Sequence, residues 1–201
     1  MIEIPTDLPA EVVPLSWLIG VWEGTGMIDF TTGEGVHYEG EFTQQVSFSR
    51  GDGPFLNYSA TASYETPIGA RAPLAAETGF WRLALPDAAT AAGPGLLPPT
   101  QQGKAATAED VENLRNATGG FDIEAAVVRS DGVTELYVGQ VKGPRVDLAT
   151  DAVVRSAGAK QYSAATRMYG LVDQKLLWAW DMAALGRSLS SHASASLEKV
   201  Q

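Results

Sequence analysis

The sequence predicts an all-β fold, a single antiparallel β-barrel with a short helical plug at one end. First, most of the chain divides into stretches of alternating apolar and polar residues joined by short turns. Second, the segment Gly20-Val21-Trp22-Glu23-Gly24-Thr25-Gly26 follows an apolar turn at residues 15–19. Glycines let a first strand bend and lie close to its neighbours, and a tryptophan can fill one end of the barrel. We therefore expect β-structure to begin at this segment.

The remaining strands follow from the alternation. Eight of them are predicted at residues 36–49, 54–64, 74–85, 121–129, 134–141, 145–154, 161–172 and 175–184. Residues 188–200 fit either a final strand or a short helix, and we favour the strand. The turn Ser130-Asp131-Gly132 between alternating flanks is typical of a hairpin. Consecutive antiparallel strands with short turns favour an up-and-down barrel or a sandwich, and a barrel of this size leaves room for one ligand.

Residues 86–120 interrupt this pattern. They are rich in Ala, Gly, Pro and Thr, and they predict a long surface insert within a single domain that spans residues 1–201. Inside the insert, residues 107–115 predict one or two turns of helix, with Thr107 as the N-cap and acidic residues in the first turn.

Composition excludes several classes of function. The net charge is −10 and the isoelectric point is about 4.6, which argues against binding to nucleic acid or to anionic membranes. The chain contains no cysteine, so disulfides, thiolate catalysis and iron–sulfur clusters are excluded. Residues 1–11 carry three acidic residues and no basic one, unlike a secretory signal, and no apolar run is long enough to span a bilayer. We expect a cytoplasmic protein.

The two histidines lie far apart in the sequence. His192 stands among small and apolar residues, where its imidazole could project into the barrel as a metal or haem ligand. His37 begins an exposed strand and is predicted to be solvated. Two distant histidines without clustered carboxylates do not suit zinc. Trp178 and Trp180 share one face of a strand and are predicted to form core or cavity wall.

Several segments together carry a resemblance to a known family. They are Pro14-Leu15-Ser16-Trp17-Leu18-Ile19 with the opening motif, Gly53-Pro54-Phe55-Leu56-Asn57-Tyr58-Ser59, Glu77-Thr78-Gly79-Phe80-Trp81-Arg82, Ala159-Lys160, Arg167-Met168-Tyr169 and Asp181-Met182-Ala183-Ala184-Leu185-Gly186. With these segments the chain resembles the nitrobindin family, haem-binding barrels related in shape to lipocalins and fatty-acid-binding proteins. The insert at residues 86–120 is not covered by the resemblance.

The resemblance implies a ten-stranded barrel that binds one ferric haem b per chain in its mouth. The family's iron ligand is a histidine near the C-terminus, and that position falls on His192. No catalytic side chain beyond the haem iron is implied. The further residues assigned to the haem site are Lys160, near a propionate, Thr32, in a loop over the haem, and Gly20, Trp22, Gly24 and Gly26 of the opening motif.

The activities implied by the resemblance are isomerisation of peroxynitrite to nitrate and reversible binding of nitric oxide. A single neutral imidazole is a suitable axial ligand because it leaves the sixth iron position open to a small anion or gas. A homodimer is compatible with such a barrel.

The chain also departs from the family pattern. Ala75-Ala76 replace an expected histidine, Ala193 follows His192 in place of the usual leucine, Gln44-Gln45 replace an acidic pair, and the loop at residues 30–35 lacks the family's proline. An alternative therefore stays open, a haem-free barrel that binds or carries an apolar small molecule without catalysis. A weaker alternative is an interaction protein that uses the insert as a docking arm.

Overall fold

The computed structural model describes residues 8–85, 96–98 and 106–201. Its strands are β1 (Gly20–Thr31), β2 (His37–Arg50), β3 (Leu56–Glu65), β4 (Arg71–Leu83), β5 (Phe121–Arg129), β6 (Val133–Lys142), β7 (Arg145–Arg155), β8 (Tyr162–Val172), β9 (Lys175–Ala184) and β10 (Ser190–Lys199). Each strand pairs antiparallel with the next, and β1 pairs with β10 to close the barrel. The predicted all-β barrel is confirmed, the sandwich is excluded by the closure, and the C-terminal tail is a strand.

The fourth strand begins earlier than the alternation predicted. It starts at Arg71 and contains Pro73, which lies opposite Ser63. The register of β3 and β4 shifts between Ala62 and Ser63, and such a bulge accommodates a residue that has no backbone N–H to donate.

A 3₁₀ helix (Ala10–Leu18) precedes β1 and closes one end of the barrel. It is longer than the predicted plug at residues 15–19, and it buries Val12, Leu15 and Leu18. The indole N–H of Trp22 donates to the carbonyl oxygen of Leu18 at 2.7 Å, which ties β1 to the helix. We refer to this end as the closed end.

The apolar core lies in the half of the barrel next to the closed end. Trp22, Phe48, Leu56 and Trp81 are fully buried there, and the Phe48 and Trp81 rings meet edge to face with centroids 5.2 Å apart. Burial of large apolar side chains such as these is a main source of the stability of the fold.

The opposite end carries the β1–β2, β3–β4, β5–β6, β7–β8 and β9–β10 loops, and we call it the open end. The backbone N–H of Gly33 in the β1–β2 loop donates to the carbonyl of Leu185 in the β9–β10 loop at 2.8 Å. The loops of the open end are thus joined across the first and last hairpins.

Part of the predicted insert lies outside the described residues. Within the described part, helix α1 (Ala108–Glu112) begins at Thr107, whose hydroxyl accepts from the backbone N–H of Asp110, and the Asp110 carboxylate accepts from the N–H of Thr107. This capping box confirms the predicted N-cap. In the described ranges, no helix has both the length and the apolar character needed to cross a membrane.

Candidate functional site

A cavity of about 210 Å³ lies inside the barrel towards the open end. Aromatic and apolar side chains form most of its wall, among them Phe42, Trp178, Trp180 and Met182. The prediction that the two tryptophans form cavity wall is confirmed. The indole N–H of Trp178 donates to the Gln44 side-chain oxygen at 2.7 Å, which fixes the ring against β2. Such a concave, mostly apolar site with few polar groups is typical of small-molecule binding.

A β-bulge turns His192 into this cavity. In the pairing of β10 with β9, Ser191 lies opposite Asp181 and Ala193 lies opposite Trp180, so His192 is an extra residue between them. Both His192 and Ala193 line the cavity, whereas regular alternation would point one of them outward. The bulge therefore supplies an inward imidazole without disturbing the rest of the strand.

The His192 ring is held by two aromatic neighbours. Its centroid lies 4.2 Å from that of Phe30 and 5.2 Å from that of Trp180, the latter at 81°. Burial lowers the pKa of His192 to about 4, helped by the positive charge of Arg129. The imidazole is therefore neutral near neutral pH. Neither ring nitrogen bonds to any other residue in the described ranges, so both remain available to a ligand.

At the wall of the cavity, a buried ion pair crosses the barrel interior. The Arg167 guanidinium donates from Nη1 to Oε1 of Glu77 at 2.7 Å and from Nη2 to Oε2 at 2.9 Å. The Tyr58 hydroxyl donates to the same carboxylate. Burial alone would raise the pKa of Glu77, but the charge and hydrogen bonds of Arg167 overcome it and lower the pKa to about 2. Glu77 is therefore ionised.

A second carboxylate completes this network. Glu135 is fully buried and accepts from Nη2 of Arg167 at 3.2 Å, from the Tyr137 hydroxyl at 2.6 Å and from the Tyr162 hydroxyl. Nε of Arg167 donates to the Tyr137 hydroxyl at 2.9 Å. Burial is the main cause that raises the pKa of Tyr137 and of Tyr162 well above the ordinary value; the charge of Glu135 raises both further, and that of Arg167 opposes the rise. Every member of this network has partners, and such a network rigidifies the wall of the cavity.

Arg129 lies beside the network and also lines the cavity. Nη2 donates to Oδ2 of Asp131 at 2.9 Å, and the guanidinium carbon lies 4.8 Å from the centroid of Trp180. Nη1 of Arg129 and the indole nitrogen of Trp180 are both buried and have no hydrogen-bond partner in the described parts of the chain.

Comparison with known proteins decides the family. A profile described as "THAP4-like, heme-binding beta-barrel domain" matches residues 11–199. The chain belongs to the nitrobindin family of haem-binding barrels.

Its relatives in that family are similar over their whole length. A protein of Leifsonia xyli subsp. xyli, named "Peroxynitrite isomerase", is 58% identical over 201 residues that cover 100% of both chains. A protein of the same name from Clavibacter michiganensis subsp. michiganensis is 56% identical over 200 residues, again 100% of both chains. The crystal structure of Rv2717c from M. tuberculosis aligns with a TM-score of 0.67 at 24% identity, over 96% of this chain and 99% of that one. That likeness shows the shared fold.

The residues predicted for a nitrobindin haem site are distributed along the barrel. His192 lines the cavity, and the other six are not among the described lining residues. Thr32 and Lys160 lie in loops of the open end, where the Thr32 hydroxyl accepts from the N–H of Val36 at 3.1 Å and the Lys160 side chain is exposed. Their predicted contact with haem stays a prediction.

The opening motif of this nitrobindin-family barrel lies mostly away from the cavity. Gly20 and Trp22 are at the closed end. A Cβ on Gly24 would lie 2.2 Å from the carbonyl oxygen of Ser196, and one on Gly26 would lie 2.3 Å from the Phe42 ring. These contacts give both glycines a packing role between β1 and its neighbours, and their predicted role in cofactor binding stays a prediction.

The sequence reasoning missed the charged residues of the interior. Glu135 stands between Val133 and Tyr137, two inward positions of β6, and Arg167 stands between the inward Ala165 and Tyr169 of β8. A charged residue in an inward position of an alternating strand was the signal that could have found them, because buried charges are found paired. His37 was placed correctly, since its side chain is 53% exposed.

Proposed function

We propose that the chain binds ferric haem b with His192 as the axial ligand, and that the haem-loaded protein isomerises peroxynitrite to nitrate and binds nitric oxide. The observation that carries the proposal is the neutral, inward imidazole of His192, which has no hydrogen-bond partner in the described ranges. The membership in a haem-binding family and the name "Peroxynitrite isomerase" of full-length relatives support it.

The residues present fit a haem. A neutral imidazole nitrogen is an axial ligand of haem iron, and Phe30, Trp180 and Met182 offer apolar surface for a macrocycle. The donor set does not suit a metal ion held by side chains alone, because the described residues contain no group of three or more His, Asp or Glu placed to hold one. The cavity of about 210 Å³ is smaller than a site that encloses a whole drug-sized ligand, for which roughly 300–1,000 Å³ is usual. We therefore expect a haem to be enclosed in part, with one edge at the open end.

When bound, the haem iron supplies the Lewis-acid and redox chemistry towards the small anion or gas. The chain's own residues supply orientation and surroundings. His192 holds one side of the group, since its ring is fixed between Phe30 and Trp180. The aromatic wall would exclude water from this side, and the hydrogen-bonded network around Arg167 would keep the wall rigid.

The test is a titration of the apo-protein with haemin, followed by the Soret absorption. Wild type is compared with His192→Ala and with His37→Ala, a matched control because His37 is exposed and outside the cavity. We expect a saturable one-to-one spectral change in the wild type and the control, and loss of the axial-ligand spectrum in His192→Ala. Haem binding with an unchanged spectrum in His192→Ala would exclude the axial role.

Activity is then measured by stopped-flow decay of peroxynitrite and by the yield of nitrate. Haem-loaded wild type and His37→Ala are expected to accelerate decay in proportion to haem occupancy, and apo-protein is not. A decay rate that does not depend on haem would contradict the proposed reaction.

The apolar wall favours one alternative, a carrier of an apolar small molecule. Native mass spectrometry of the protein purified from cells tests it directly. A co-purified apolar molecule that haemin does not displace would favour the carrier, and displacement by haemin would favour the haem protein.

A further inference from the structure

The two arginines of the cavity differ in how their donors are used. Arg167 donates from Nε, Nη1 and Nη2 to Tyr137, Glu77 and Glu135, so each of its nitrogens has a partner. Arg129 uses Nη2 on Asp131, whereas its Nη1 is buried without an acceptor in the described residues. Buried donors are nearly always paired in folded proteins, so an unpaired guanidinium nitrogen at a cavity requires a cause.

A second unpaired donor lies next to the first. The Trp180 indole nitrogen is also buried without an acceptor in the described ranges, and the Arg129 guanidinium carbon lies 4.8 Å from the centroid of the Trp180 ring. The centroid of the His192 ring lies 5.2 Å from that of the same indole, with the two planes at 81°. The Arg129 guanidinium and the His192 ring thus both contact the Trp180 ring at one part of the cavity wall, where two N–H donors lack a partner.

The surrounding charges leave this place open to an anion. The carboxylates of Glu77 and Glu135 are already engaged by Arg167 and the tyrosines. Asp131, half-exposed at the rim, engages the other side of Arg129. No carboxylate of the described residues bonds to Nη1 of Arg129.

We propose that Arg129 and the Trp180 indole N–H form an oxyanion-recognition site in the cavity beside His192. Nη1 of Arg129 and the indole N–H suit nitrate, peroxynitrite and carboxylates because hydrogen bonds from a charged donor to an oxyanion are strong. The oxyanion has two sources, a free small anion or a haem propionate, and the second source rests on the proposed function. Arg129 is then a positioning and specificity residue that the sequence motifs do not include.

The first arm uses nitrate on the apo-protein. The indole N–H resonances in a ¹H–¹⁵N correlation spectrum are followed during titration with sodium nitrate, with sodium chloride matching ionic strength in a parallel series. Trp180→Phe assigns the Trp180 signal among the five tryptophans. We expect a saturable shift of that signal in wild type and in Arg82→Gln, an exposed arginine paired with Glu124, and affinity at least about tenfold weaker in Arg129→Gln.

The second arm compares haemin with haemin dimethyl ester, which lacks the propionate charges. If the oxyanion is a propionate, Arg129→Gln weakens haemin binding at least about tenfold, leaves the ester unaffected, and the nitrate titration gives no shift. Arg129→Lys keeps the positive charge but lacks the planar guanidinium donors. We therefore expect its affinity to lie between those of Arg129→Gln and the wild type in whichever arm responds.

The proposal is overturned if Arg129→Gln, folded by circular dichroism, binds nitrate, haemin and the ester as the wild type does. It is also overturned if any weakening affects haemin and its ester equally while nitrate causes no shift. Failure of wild type to bind haemin contradicts the proposed function alone, because the nitrate arm still tests the oxyanion site in the apo-protein.

Discussion

The carboxylate of Glu77 and the guanidinium of Arg167 form a two-pronged ion pair, with N–O distances of 2.7 and 2.9 Å between residues 90 positions apart. Glu77 is on β4 and Arg167 is on β8, and these strands are not neighbours in the sheet. The pair therefore joins opposite walls through the interior, which the backbone hydrogen bonds of the sheet cannot do.

Breaking this pair should destabilise the fold strongly. We expect Arg167→Met to lower the free energy of unfolding by about 3–5 kcal/mol, because it leaves Glu77 and Glu135 buried without their cation. Urea denaturation followed by tryptophan fluorescence measures the change. The control is Arg82→Gln, which removes an exposed pair with Glu124 and should cost less than about 1 kcal/mol. Equal losses of unfolding free energy in the two variants would contradict a stabilising role for the buried pair.

The same pair predicts an acid dependence of stability. The pKa of Glu77 is about 2 in the fold and 4.5 ordinarily, so the unfolded chain binds the proton more readily. The ionised Glu77 carboxylate contributes on the order of 3 kcal/mol to the free energy of unfolding. This contribution is fully present above pH 4.5 and is lost as the pH falls towards 2. Urea denaturation at a series of pH values measures it. In Glu77→Gln this part of the pH dependence should disappear, and an unchanged slope would show that other carboxylates cause it.

Gly24 should not tolerate a side chain. In Gly24→Ala the new Cβ would lie 2.2 Å from the backbone oxygen of Ser196, so β1 and β10 must move apart at a cost of about 1–3 kcal/mol. The control is Gly40→Ala on the neighbouring strand β2, because a Cβ at Gly40 would have no atom within 4 Å. Thermal unfolding distinguishes them. A Gly24→Ala protein as stable as Gly40→Ala would contradict the packing role.

Trp22 should matter for stability more than for ligand binding. Trp22→Phe leaves the carbonyl of Leu18 without its donor inside the closed end, and we expect a loss of about 1–3 kcal/mol. Haemin affinity should stay within about twofold of wild type, because Trp22 does not line the cavity. A large loss of affinity at unchanged stability would instead support the haem-binding role predicted from the opening motif.

The antiparallel strands could be predicted because they alternate clearly and their turns carry Gly and Asp, and the family resemblance favoured a barrel over a sandwich. The predicted limits of residues 121–129 and 175–184 coincide with β5 and β9. The predicted start of β4 was wrong, since the proline inside this strand is accommodated by a bulge at Leu74 that alternation does not predict.

The interior of the site was less accessible to sequence reasoning. His192 could be singled out as one of two histidines, but its inward direction depends on the bulge after Ser191, which strand alternation does not predict. Arg129 and Trp180 meet because β5 and β9 face each other across the barrel. Such contacts are set by barrel closure and register, which no local pattern encodes.

The bulkiest core side chains around Trp22 and the cavity around His192 lie towards opposite ends of the same barrel, and core residues such as Tyr58 and Tyr169 form the cavity wall between them. Substitutions around His192 can therefore change what the cavity binds while the packing around Trp22 maintains the fold. A barrel divided in this way can acquire new specificity by substitutions around its mouth, with little penalty to folding.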